Sequence, residues 1–301
     1  MKSGKSKCFM AFATVLLICA SSAWALTVTE EAKLLATDGA SRDNFGYSVA
    51  IDGDTALIGA FHRDNSKGAV YVFTRNDSTW VREAELLAPD GASYDQFGFR
   101  VALSGDTAVI GAEGNEGDGS AYVYTRDIYG IWTLQAKLKA SDGEGNNYFG
   151  SAVAIVGDTA LVCAKYSNQE RPSIGSGAVY VYTRDIYGRW TEEVRLVGSV
   201  RSTFDWFGEG EIAFDGGTAL VGAYGSDVNG TDTGVVFVFS RDANGTWTEQ
   251  AKLVASDGVA NDQFGWSVAI DGDTALVGAY QTDDRGTDSG STYVFTKDTN
   301  C

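Results

Sequence analysis

Histidine occurs once in the 301 residues, proline twice and cysteine four times. The single His62 has no cysteine beside it, which leaves neither a His/Cys metal cluster nor a Cys–His nucleophile. No Gly-x-Ser-x-Gly elbow and no phosphate loop is present. Pro89 and Pro172 fall between apolar runs, as a chain of strands requires, because proline cannot donate to a ladder. Cys8 and Cys19 lie near the start, Cys301 is the last residue, and Cys163 sits in an apolar run. No disulfide is expected from that placement. Basic residues are outnumbered, 23 Lys and Arg against 40 Asp and Glu, for a net charge of −17. Such a surface repels polyanions, so no nucleic-acid partner is expected. No apolar run reaches the roughly 20 residues of a membrane span, so no transmembrane segment is expected.

The longest apolar stretch is residues 9–20, preceded by Lys2, Lys5 and Lys7 and followed by Ala23-Trp24-Ala25. A basic start, a short apolar core and small residues at −3 and −1 are the pattern of a secretory signal peptide. Residues 1–25 are read as that signal, and 26–301 as the mature domain. The expected location is secreted or extracellular, periplasmic or cell-surface if the host is a bacterium. Cleavage removes three lysines and no acid, taking the charge to −20.

What the chain does have, it has five times. Phe-Gly recurs at Phe45, Phe97, Phe149, Phe207 and Phe264, at intervals of 52, 52, 58 and 57 residues. Self-similarity near that period marks propellers and solenoids, whose units cannot bury their apolar faces alone. Each repeat holds short runs rich in Val, Ile, Phe and Tyr, separated by Gly and Asp, with no helical period. Val70-Tyr71-Val72-Phe73 and Val179-Tyr180-Val181-Tyr182 are apolar on both faces and must be covered on both sides. The fourth run alternates, with Trp132, Leu134, Ala136, Leu138 and Ala140 on one face, which makes it an outer strand. Between the first two strands stand Asp52-Gly53-Asp54 and its four counterparts. Only the glycine is common to all five, which predicts a type I turn closed by a glycine bulge.

Strand counting predicts closure. Val28, Glu30, Ala32, Leu34 and Ala36 match the outer-strand positions, whereas the last repeat ends without its fourth strand. The expected fold is therefore all-β, a propeller of five four-stranded blades. Residues 26–36 would supply the outer strand of the last blade and shut the ring.

Phe45-Gly46-Tyr47-Ser48-Val49-Ala50 with Gly59-Ala60, and Phe264 to Ala269 with Gly278-Ala279, resemble the FG-GAP repeat of the integrin alpha-chain propeller. The resemblance covers residues 26–301. It implies a β-propeller that binds a protein or glycan outside the cell and has no chemistry of its own. Integrin-type repeats carry a calcium loop, Asp-x-Asp-x-Asp-Gly-x-x-Asp, between the first two strands. Here that loop has shrunk to a tight turn, and two carboxylates cannot supply the six to eight oxygens calcium prefers. No cofactor is expected, and calcium has no full loop motif to hold it. The repeat thus looks like a short, secreted variety.

The resemblance also implies one loop-bearing face, with its longest loops at 165–176, 224–233 and 280–289. The weak binding candidates are Trp206, Trp266, Asp227 and Asp283. Asp227, Asn229 and Asp232, with Asp284 and Asp288, have an oxygen spacing loosely like a cation loop, although solvated Asn/Asp-Gly turns explain it more simply. Asp38, Asp43, Asp90, Asp95, Asp257 and Asp262 recur before Phe-Gly. They sustain an alternative reading, a five-bladed carbohydrate hydrolase using loop carboxylates. Residues repeated in every blade generally do structural work, so no catalytic residue is assigned. Asn76, Asn229 and Asn244 match the N-glycosylation pattern, relevant if the host is eukaryotic.

Overall fold

The computed structural model describes residues 30–143, 146–167, 175–202 and 204–298. The expected signal peptide, Cys301 and most of the 165–176 loop lie outside them. All strands belong to the unit beginning at Leu34.

Among the described residues nineteen strands form five antiparallel sheets, each built of strands in sequence order. The first holds β1 (Val49–Asp52), β2 (Thr55–Ala60), β3 (Ala69–Asn76) and β4 (Thr79–Leu86). The second holds β5 (Arg100–Ser104), β6 (Thr107–Ala112), β7 (Ser120–Arg126) and β8 (Trp132–Leu138). The third holds β9 (Phe149–Val156), β10 (Thr159–Ala164), β11 (Ala178–Arg184) and β12 (Trp190–Leu196). The fourth holds β13 (Ile212–Asp215), β14 (Thr218–Ala223), β15 (Val235–Arg241) and β16 (Trp247–Leu253). The fifth has only β17 (Ser267–Asp271), β18 (Thr274–Ala279) and β19 (Ser291–Thr296).

The cores lie between sheets. One cluster joins Leu57, Val72 and Leu86 of the first sheet to Phe97, Ile110 and Tyr122 of the second, and comparable clusters join the later pairs. The repeated dipeptides sit at these seams. Phe97 is fully buried and meets Tyr122 edge-on at 5.3 Å, as Phe149 meets Tyr180 and Phe264 meets Tyr293. Gly98 takes φ +87°, and a Cβ there would stand 2.6 Å from the Ala69 carbonyl oxygen. Phe-Gly therefore buries a ring in its own sheet while its backbone crosses close over the sheet before.

Three expectations are corrected. The pairs Asp52↔Thr55 and Ser104↔Thr107 leave two-residue loops whose first residue is glycine at φ +56° and +55°. One positive φ at the first loop position closes the hairpin directly, without a type I turn and bulge. The outer strand does not keep one alternation. Tyr124 pairs with Leu134 but Val123 with Ala136, so Gln135 is bulged out and the faces exchange. Trp132 then shares the face of Tyr124 and packs toward the preceding sheet, whereas Ala136 and Leu138 lie on the face of Val123 and Ala121. The same slip recurs at Glu83, Glu193 and Gln250.

The third correction concerns closure. Residues 30–36 form no strand, and among the described residues no strand but β18 pairs with β19, so hydrogen bonds do not shut the array as a five-bladed ring. Leu34 and Ala36 instead pack on the cluster of Ile58, Ala60, Tyr71 and Phe73 in the first sheet. Side-chain burial satisfies their apolar pattern there without a backbone ladder, which is why the sequence match did not entail strand pairing. On the fifth sheet, Leu276 and Val294 remain 43% and 65% exposed, while their counterparts Leu57 and Val72 are fully buried.

Candidate functional site

The innermost strands converge. Tyr47 and Val49, Arg100 and Val101, Val153, Glu211 and Ile212, and Trp266 and Ser267 line one cavity of about 390 Å³. Every repeat contributes to the lining, and at and beside the cavity the sequence departs from the repeat at a few columns. The residue after Phe-Gly is Tyr47, Phe99, Ser151, Glu209 and Trp266 in turn. The residue after the second-strand alanine is Phe61, Glu113, Lys165, Tyr224 and Tyr280. Arg100 and Glu211 are likewise unmatched by charge in other repeats.

These departures meet in space. Lys165 Nζ lies 3.0 Å from Glu113 Oε2 and 3.6 Å from Glu209 Oε1. The Tyr224 hydroxyl donates to Glu209 Oε2 at 3.1 Å. Rings of Tyr148, Phe99 and Tyr166 stand 5.0 to 5.8 Å from the Lys165 ammonium. Burial opposes the charge on Lys165, yet Glu113 and Glu209 outweigh it and raise its pKa. Burial also raises Glu113, more than Lys165 lowers it, with Glu209 adding repulsion. Glu211 is raised by burial too, opposed by the Val268 N–H and by Arg100. The guanidinium of Arg100 lies over Tyr47 and Phe99, at 5.4 and 4.7 Å.

Beside this charged group runs an aromatic file. Trp206 meets Tyr224 at 5.0 Å, Tyr224 meets Trp266 at 4.7 Å, and Trp266 meets Tyr280 at 4.9 Å. The expected candidates Trp206 and Trp266 are thus brought together, with Trp266 on the cavity. Asp227 and Asp283 are not part of it. Each accepts, through Oδ1, the backbone N–H of Asp232 or Asp288 in its own loop. Asn229 lies exposed in that loop, and Asp284 accepts from the Ser291 hydroxyl. Among the described residues no group of three or more His, Cys, Asp or Glu converges as a metal site. Asn76, Asn229 and Asn244 are all exposed.

The loop carboxylates are spent on structure. Asp43, Asp95 and Asp262 accept the N–H groups of Ala40, Ala92 and Val259. Asp90 and Asp257 accept from the hydroxyls of Tyr122 and Tyr293, and Asp38 pairs with Arg63 and Arg82. Sequence reasoning missed Arg100, Glu113, Lys165, Glu209 and Glu211. Laying the five repeats in register and reading the columns that break ranks would have found them.

Five consecutive antiparallel sheets, with seams at Phe-Gly and Gly-Ala and one cavity lined by all of them, define a blade-repeat β protein. The FG-GAP repeat model matches residues 28–73, 80–124, 132–182, 190–239 and 247–295, so the chain belongs to the FG-GAP repeat family. No curated protein matches. Among solved structures, a Lactobacillus plantarum protein is 16% identical with a TM-score of 0.52. A putative 6-phosphogluconolactonase from Bacteroides uniformis is 12% identical with a TM-score of 0.57. Each alignment covers 85% of this chain and 68% of the other, and at such identity the likeness shows the fold alone. Among the described residues no helix is long and apolar enough to cross a membrane.

Proposed function

We propose that this protein is a secreted binding module that takes an extracellular protein or glycan at the cavity between its innermost strands. The reading is carried by one observation: the residues that break the repeat gather at the cavity or beside it. Lys165 sits between Glu113 and Glu209, and Arg100, Glu211, Tyr47 and Trp266 line the cavity. Indole and phenol faces offer apolar contact and CH–π stacking, while the carboxylates and the guanidinium offer directed hydrogen bonds. The N-terminal signal pattern supports export.

Glycan and protein arrays probed with residues 26–301 and with Trp266→Ala and Glu211→Gln test this. At least tenfold weaker binding by both variants is expected for any hit. A hit retained at full strength by both would move the site elsewhere.

Catalysis has one specific support, because Glu113 and Glu209 are nearby carboxylates that other repeats lack. Against it, both are tied to the same ammonium. Turnover of a polysaccharide that Glu113→Gln abolishes while binding persists would establish the hydrolase instead.

A further inference from the structure

The outer strands β8, β12 and β16 begin with tryptophan, and each of these tryptophans plugs the seam between its own sheet and the one before. Trp132 packs on the cluster holding Leu57, Val72, Ala108 and Tyr124, and Trp190 on that holding Val109, Val123, Ala160 and Tyr182. Trp247 joins Leu161, Val181, Ala219 and Phe239. At the fourth seam the corresponding walls are Leu220 and Val238 on one side, Ala275 and Phe295 on the other. Between them lies a cavity of about 330 Å³. A tryptophan's seat is present there, and no described residue fills it.

Its surroundings match the filled seats. Lys297 occupies the place of Arg75, Arg126 and Arg184, which donate the same backbone bond and lie over Trp80, Trp132 and Trp190 at 5.7, 5.5 and 5.4 Å. Gln250 is the bulged residue of β16, as Gln135 is of β8, and Gln135 Oε1 accepts the Trp190 indole N–H at 2.9 Å. Both Gln250 and Lys297 line the cavity. Beside it, among the described residues β19 pairs only with β18, so its outer edge has no described backbone partner.

We propose that the fifth sheet binds an extended peptide strand along β19, with a tryptophan of that strand seated in the cavity. The ladder would supply affinity, and the seat would select indole over smaller side chains. The three filled seats of this chain give the occupant's chemistry. An aromatic residue starts the strand, its N–H is offered to Gln250 and its face to Lys297. Small and leucine side chains follow after the bulge, on the side of the exposed Leu276 and Val294.

The test uses residues 26–301 and a fluorescein-labelled peptide of the sequence of Trp247–Leu253, followed by anisotropy. Saturable binding is expected, weakened at least tenfold when the peptide tryptophan becomes alanine. Gln250→Met, an exposed substitution that leaves the core alone, should weaken the tryptophan peptide severalfold and leave a phenylalanine peptide unchanged. Val238→Trp, which fills the seat from within, should abolish binding while circular dichroism shows the fold retained. Absence of saturable binding overturns the proposal, as does equal binding by the alanine peptide. Concentration-dependent dimerisation in the ultracentrifuge that the peptide cannot compete would show instead that a second copy covers this face.

Discussion

Asp205 is the carboxylate with the poorest support in this fold. It is 3% exposed, its Oδ1 is buried with no partner, and Oδ2 accepts the Ser202 N–H. Burial pushes its pKa up to about 6, opposed by that N–H and reinforced by Asp227. The folded chain thus keeps a proton that the unfolded chain releases near 3.8. Between those values the native state binds more protons, so stability falls as pH rises, and the contribution of this proton is gone above the folded pKa. Asn147 holds the corresponding place in the third repeat. Asp205→Asn should therefore raise stability at pH 7 by about 2 kcal/mol and flatten the decline between pH 4 and 6. Thermal melts across that range check it, and an unchanged slope would assign the decline to another group. Lys165→Met argues the reverse case. It strands two carboxylates, costing about 3 kcal/mol at neutral pH, and adding Glu113→Gln should restore part of that loss. A double variant no more stable than the single one would mean the pair is not coupled. At this scale sequence reasoning was weakest. Phe97 and Gly98 repeat and could be assigned work, whereas Lys165 occurs once and gains meaning only from neighbours in other repeats.

Elements were far more legible. Antiparallel strands, their order and the glycine turns follow from short β-branched and aromatic runs cut by Asp and Gly. The bulge was not legible, because Trp132 to Leu138 shows the same alternation whether or not one residue is extruded. Only pairing with β7 reveals that Trp132 and Leu138 face different sheets. Two glycines of the second sheet separate the kinds of work glycine does here. Gly105, in the β5–β6 turn, has φ +55° and open space around a would-be Cβ, so Gly105→Ala should cost about 1 kcal/mol of backbone strain. Gly111 lies within β6, and a Cβ there would stand 2.0 Å from the Gly150 carbonyl oxygen. Gly111→Ala must push the second and third sheets apart, at about 3 kcal/mol or more. Denaturant melts of the two variants should differ clearly. Equal losses would mean the seam can relax and is not the tight contact that fixes the sheets.

For the molecule as a whole, the decisive fact is that the larger cores form between sheets, while the smallest lies on the first sheet alone. The second, third and fourth sheets have a neighbour on both faces. Among the described residues the fifth packs on the fourth alone and leaves Leu276 and Val294 exposed, while the first leaves Val49 and Ile51 exposed on its innermost strand. Arrays stabilised by nearest-neighbour interfaces lose stability first where an interface is missing. Hydrogen exchange should accordingly be graded, with β10 and β11 slowest and β18 and β19 fastest. Their ladders are alike in length and register, so propensity cannot produce that gradient. Mass-spectrometric exchange at neutral pH tests it directly. Protection of β19 equal to that of β11 would require a cover on the fifth sheet in solution. Loss of that protection on dilution would identify the cover as another copy of the chain.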